Sequence, residues 1–145
     1  MASQPPSPTK YPSAAEIASF FKNLEEAEYE KGFARFSPDV DCVVTGSHPC
    51  SGHFTTLSAF KEHTMGHVSR IWKGLAKINI RNVVGGGEQE QACIELTAQA
   101  ECKNGRPFLN KEVMMVRFDE RGMIVQMGVY IDAALTGKAL EENES

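Results

Sequence analysis

Glu112 is the residue of this chain whose surroundings promise chemistry. It lies in the stretch Asn110 to Asp132, NKEVMMVRFDERGMIVQMGVYID, where two apolar runs flank an Asp-Glu-Arg-Gly turn and predict a long antiparallel hairpin. Successive side chains alternate across a strand, so Glu112 shares a face with Met114, Val116 and Phe118. On the second strand Val125, Met127, Val129 and Ile131 make an almost wholly apolar face. A carboxyl group among methionine and valine loses hydration, its pKa rises, and it can give or take a proton near neutral pH. A second group of reactive types is His48, His53, His63, His67, Cys42 and Cys50, all within 26 residues. Imidazole and thiolate are zinc ligands, but the His63-x-x-x-His67 spacing lacks the glutamate of HExxH and no CxxC accompanies it. No metal is therefore expected, and His48 is read as fixing its own loop. His67, on a helix edge, is a candidate proton shuttle. There is no G-x-G-x-x-G and no P-loop, so no cofactor is expected either.

These residues need a scaffold, and the rest of the chain predicts one. Met1 to Pro12 (MASQPPSPTKYP) is Pro/Ser-rich and predicted to be disordered. Ser13 with Glu16 matches a capping box, and Ile17, Phe20, Phe21 and Leu24 follow at helical spacing, with Glu28 closing the stripe beside Lys31. A short second helix brings Phe33 and Phe36 inward, and Pro38 is expected to stop it. Val40 to Thr45 predicts a strand and GSHPCSG a loop. Thr55 or Thr56 caps the next helix, whose buried stripe is Leu57, Phe60, Val68, Ile71 and Leu75, flanked by Trp72. Lys77 to Val84 and Gln91 to Cys102 read as antiparallel strands joined through Gly85-Gly86-Gly87, and Asn104-Gly105 turns the chain into the hairpin. Asp132 then caps a C-terminal helix, with residues 141–145 expected to fray. Helices first and a strand meander afterwards predict an α+β fold: helices on one face of a curved antiparallel sheet, a cone with a hollow end that suits a small hydrophobic ligand.

Composition narrows the partners. A length of 145 residues fits a single domain, taken as 13–140. The net charge of -4 comes from 15 basic and 19 acidic residues without a basic stripe, which argues against nucleic acid. No segment approaches the ~20 apolar residues of a membrane helix, and the first residues lack the apolar core of a leader. A cytoplasmic protein with unpaired cysteines is the expectation.

The helix pair, the strand DVDCVVTG, the loop GSHPCSG, the helix LSAFKEHT and the hairpin VRFDERGMIVQMGVYID resemble the nuclear transport factor two-like superfamily over about Ser13 to Leu140. Within it the resemblance is to the SnoaL-like polyketide cyclases and the ketosteroid isomerases. The resemblance implies a cone-shaped α+β barrel that moves protons on a polycyclic or terpenoid-sized substrate without a cofactor, in a homodimer formed through the outer sheet face. It also implies differences. The general-base aspartate of the isomerases falls at Val43, the protonated aspartate of their oxyanion hole at Met114 and their tyrosine at Phe20. The Arg-x-Asp pair of limonene epoxide hydrolases falls at Leu96 and Ala98, with their second aspartate at Val129, near which SnoaL-type cyclases also keep an acid. The same comparisons turn Val43, Leu96, Ala98, Met114, Met127, Val129 and Ile131 toward the cone, and alternation then places Asp41 with Val43 on the pocket side.

The reading that follows is a cofactor-independent isomerase or cyclase acting by acid/base catalysis on a hydrophobic polyketide, terpenoid or alkaloid intermediate of a specialised-metabolite pathway. A dehydratase, or a non-catalytic binding or dimerising module, is the alternative. Glu112, Asp41 and His67 are the candidate proton-transfer residues. Arg35 and Asn110 are candidates for stabilising charge, and Met114, Met127, Val129, Trp72, Phe20, Val43 and Leu96 for shaping the pocket.

Overall fold

In the computed structural model, which describes residues 8–144, the chain begins as a strap across a hairpin. The Tyr11 N–H donates to the Gly87 carbonyl and the Gly87 N–H to that of Pro12, both at 2.8 Å. Residues 8–12 are thus held in place, against the expectation of disorder; the rest of that expected segment, 1–7, lies outside the described residues. Ser13 then opens α1 (Ala14–Glu25), its hydroxyl accepting the Glu16 N–H at 3.1 Å while the Glu16 carboxylate accepts the Ser13 N–H. Ile17, Phe20, Phe21 and Leu24 form its buried face. After α2 (Tyr29–Phe33), with Glu28 at its N-cap position paired to Lys31 at 2.9 Å, comes β1 (Phe36–Val44). Pro38 does not stop the helix. It sits exposed inside β1, at an irregularity in the pairing between Phe36 and Asp41, where a missing N–H costs least.

A short edge strand, β2 (Gly52–Phe54), precedes helix α3, which is α-helical over Leu57–Phe60, π-helical over Lys61–Gly66 and α-helical again over His67–Ser69. Thr56 caps it by accepting the Ala59 N–H at 3.1 Å. The helix stops short of Leu75, which is 73% exposed and so leaves the predicted stripe. Then follow β3 (Lys77–Gly85), β4 (Gln91–Glu101), β5 (Pro107–Phe118), β6 (Ile124–Tyr130) and α4 (Ala133–Asn143). Residues 141–143 are helical, not frayed, and Asp132 accepts the Leu135 N–H at 3.0 Å as the N-cap of α4.

The sheet is mixed and open, in the order β2-β1-β6-β5-β4-β3. All neighbours are antiparallel except β1 with β6, which run parallel; the expected all-antiparallel meander is corrected at that one junction. Cross-strand partners stack the concave face in rows. Cys42, Met127, Val116 and Ala92 make one, and Val44, Val129, Met114, Ile94 and Val83 the next. Glu112, Leu96 and Ile80 come after that, then Asn110, Ala98 and Ile78, then Phe108 and Ala100. A bulge between Arg117 and Phe118 changes the phase of β6, so Ile124, not Val125, is fully buried.

Two clusters fill the fold. The larger joins Ile17, Phe20, Phe21, Phe33 and Phe36 from the helical end to Phe118, Ile124 and the first concave rows. The smaller gathers Cys50, Ile71, Cys102, Phe108, Ala139 and Leu140 under α4, with Val68, Trp72, Ala100 and Leu135 against it. All four cysteines are free, and burial pushes the Cys42 thiol up to about 12 and that of Cys50 to about 11, which keeps both protonated. Among the described residues no helix is long and apolar enough to cross a membrane.

Candidate active site

Glu112 lies on the concave face between the two clusters. Protein encloses it closely enough that desolvation pushes its carboxyl from the ordinary 4.5 up to about 7, yet the residue keeps accessible surface. Its row-mate Ile80 and the neighbouring Ile78 also keep accessible surface, while Leu96, Ala98 and Asn110 between them are buried. Ala98 and Ala100 are the small residues opposite Asn110 and Phe108.

Asn110, 3% exposed, fixes the acid. Its Nδ2 donates to Glu112 Oε1 at 2.9 Å, and its Oδ1 accepts the Asp132 N–H at 2.9 Å. One amide therefore joins the acid on β5 to the start of α4, and its polar atoms are satisfied by that double role. Glu112 Oε2 has no hydrogen-bond partner among the described residues and is the oxygen that can meet a ligand.

Around Glu112 the structure gathers Asn110, Leu96, Met114 and Val129, with Met127 one row further in. Trp72 closes the α4 end, its ring 5.5 Å from that of Phe108. Other expected site residues stand elsewhere. Asp41 and Val43 face outward: Val40, Cys42 and Val44 are the buried residues of β1, and Val43 is 41% exposed. Asp41 accepts a hydrogen bond from His53 Nε2 at 2.6 Å on that outer surface. The irregularity between Phe36 and Asp41 sets this phase, and it removes Asp41 from the pocket. Arg35 is exposed, its guanidinium 5.4 Å from the Phe20 ring, and its carbonyl accepts the Ile124 N–H. Phe20 in turn meets Phe118 edge-on at 6.3 Å. Six residues of strand, roughly 20 Å, separate Phe118 from Glu112, so neither Arg35 nor Phe20 reaches the acid. His67 is committed through Nε2 to the Glu144 carboxylate beyond α4 and stands beside the exposed His63. His48 is buried, with Nε2 donating to the Thr45 carbonyl at 3.1 Å and Nδ1 accepting the Cys50 N–H at 3.1 Å. That pattern fixes a neutral tautomer, and burial lowers its pKa. Among the described residues no three His, Cys, Asp or Glu side chains meet as a metal-binding group.

Sequence reasoning missed Thr136, whose buried hydroxyl on α4 has no hydrogen-bond partner among the described residues; a threonine inside a short amphipathic helix carries no signal of that kind.

The same curved sheet and helix arrangement recurs in solved proteins. A protein described as NTF2-like from Burkholderia thailandensis superposes with a TM-score of 0.72 over 92% of this chain and 98% of its own, at 15% identity. This is the nuclear transport factor two-like fold. TerC, crystallised with polyporic acid, shares the fold with a TM-score of 0.69 over 86% of this chain and 95% of its own, at 17% identity. By sequence, the chain is 26% identical over 136 residues to dimerizing cyclase phiC of a fungal species (strain ATCC 74256), and 25% identical over 137 residues to dimerizing cyclase tstC of Talaromyces stipitatus. Each match takes in 93% of this chain, and the chain spans 60% of the length of these curated relatives. No family model matches the sequence.

Proposed function

We propose that the chain is an isomerase or cyclase of a specialised-metabolite pathway, working by acid/base catalysis with its own side chains on a hydrophobic intermediate. The observation that carries this is Glu112: a carboxyl raised to about 7 by desolvation, one oxygen held by Asn110, on the apolar concave face beside Leu96 and Met114. Near neutral pH such a group is divided between its two forms, the condition under which it both takes and returns a proton. Glu112 carboxylate removes a proton from carbon beside a carbonyl, leaving the electron pair on an enolate. Isomerisation follows when the resulting acid returns the proton to another carbon of the conjugated system. Ring closure follows when the enolate carbon instead attacks a carbonyl carbon of the substrate, the C=O π pair moving to its oxygen, which takes the proton back from Glu112. The curated relatives, both named dimerizing cyclases, support the second outcome.

The outer face supports assembly as a homodimer. Val43, Gly128, Met115, Cys93 and Val84 form one continuous row across five strands, with Val43, Met115 and Val84 exposed and Tyr130 near it at 51% exposure. A two-fold-related copy laid on this row covers the same residues from both sides.

The test is product formation from the intermediate that accumulates when the gene is deleted, with wild type and Glu112→Gln compared at pH 7. The glutamine keeps the shape and the Asn110 hydrogen bond but carries no transferable proton, so turnover falls about 10²- to 10⁴-fold. Equal turnover by the two proteins overturns the proposal.

A further inference from the structure

Asp132 stands between the last strand of the sheet and α4, and three hydrogen bonds fix it. Its carbonyl accepts the Thr136 N–H and its carboxylate the Leu135 N–H, both at 3.0 Å, so its two acceptors belong to the first turn of α4. At the N-cap position its own N–H has no partner within the helix, and it goes instead to Asn110 Oδ1 at 2.9 Å. A backbone N–H can only donate, so the atom of the Asn110 side chain that meets it must be the oxygen. With the amide turned that way its nitrogen is the atom left for Glu112, and Nδ2 donates to Oε1 at 2.9 Å. The reversed amide would set N–H against N–H at Asp132, and Asn110, 3% exposed, is too enclosed for water to relieve that mismatch. The consequence at Glu112 is an asymmetric carboxyl. Oε1 already receives an N–H, whereas Oε2 has no hydrogen-bond partner among the described residues.

We propose that Asp132 is a positioning residue for the acid: through its backbone N–H it holds the Asn110 amide as a donor to Glu112 Oε1, and so assigns the exchangeable proton of Glu112 to Oε2. The proposal rests on the reading of Glu112 as the acid/base group. A donor on Oε1 favours the ionised form and offsets part of the cost of burial. No charged neighbour takes its place. Desolvation alone raises the Glu112 carboxyl, and the concave residues around it on β3, β4 and β6 are Ile80, Leu96 and Val129. Asp132 keeps its carboxylate on the first turn of α4. Glu25 of α1 accepts the Ile80 N–H at β3, the edge strand, two strand spacings or about 10 Å from β5.

The test follows the full chain by NMR across pH. In wild type the Asn110 side-chain amide and the Asp132 N–H shift together at the midpoint of the Glu112 carboxyl, and neither shift occurs in Glu112→Gln. Two substitutions then isolate the N–H. Asp132→Pro removes it at a φ of -74°, which proline adopts, and Asp132→Ala keeps it; both lose the carboxylate cap. In Asp132→Pro the amide can turn its oxygen to Glu112 and accept from the protonated acid. The Glu112 midpoint then rises by about one pH unit, and the ascending limb of kcat/KM moves with it, whereas in Asp132→Ala both stay within about 0.3 unit of wild type. Equal midpoints in the two Asp132 variants, or wild-type resonances without a step at the Glu112 midpoint, overturn the proposal. If the proline variant does not fold, the wild-type resonances decide alone. If Glu112→Gln turns over normally, the functional reading fails and these titrations still stand on their own. If Glu112→Gln is inactive and the two Asp132 variants titrate alike, only the positioning role is lost.

Discussion

Replacing Glu112 by glutamine makes the protein more stable at neutral and alkaline pH while it disables it. A carboxyl moved from 4.5 to about 7 by desolvation costs the folded state about 3.5 kcal/mol once ionised, at ~1.4 kcal/mol per pH unit. The folded-state pKa is raised, so the folded protein holds its proton longer than the unfolded chain and stability declines as pH rises. Below about 4.5 both states are protonated and the cost is absent. It grows between about 4.5 and 7 and is complete above that. Glutamine is neutral throughout and preserves the Asn110 Nδ2 contact through its own Oε1, so its stability lacks this component. Thermal unfolding across pH 4.5 to 8.5 thus shows the variant and wild type coinciding at the acid end and diverging upward, to about 10 °C in favour of the variant above pH 7 for a domain of this size. Parallel curves, or a variant less stable at pH 8, would refute the desolvation argument.

Asp41→Asn, on the outer face, leaves turnover within about twofold and stability within about 0.5 kcal/mol, because an exposed pair with His53 contributes little; chemical denaturation and the same turnover assay check both. Gly86→Ala destabilises by about 1–3 kcal/mol in urea unfolding, since its φ is +77° and a Cβ would stand 2.5 Å from the Pro12 carbonyl oxygen and 2.8 Å from Ile17 Cδ1. Met115→Glu puts a charge at the centre of the outer apolar row, and analytical ultracentrifugation should show dimer converted to monomer with the fold intact. Ala98→Leu overpacks the buried position opposite Asn110, so stability falls by about 1–3 kcal/mol in urea unfolding; an unchanged midpoint would mean that open space lies there.

Much of the architecture is legible because local signals agree with it. The Ser13 capping box, the Asp132 cap, the Gly85 to Gly87 turn and the alternation of β4 and β5 each specify one local structure, and each appears as read. The placement of Glu112 beside Met114 follows from the same alternation. The phase of β1 was not legible. Asp-Val-Asp-Cys-Val-Val offers apolar residues to both faces, and only the parallel pairing with β6 and its irregularity decide that Val40, Cys42 and Val44 turn inward. Ile124 and Val125 pose the same problem at the β6 bulge. Leu75 fits a helical stripe by spacing, but the helix ends before it and Trp72 instead bridges to Cys102. A tie made by tertiary contact was beyond local pattern altogether: nothing in Asn110 announces that it joins Glu112 to α4.

The most direct test of Glu112 as the acid/base group is a carbon-13 NMR titration of protein labelled at the glutamate side-chain carboxyl, with Glu112→Gln used to assign its resonance. One glutamate titrating at about 7, absent from the variant, is the predicted result. A Glu112 signal that titrates near the ordinary value of ~4.3 would contradict it.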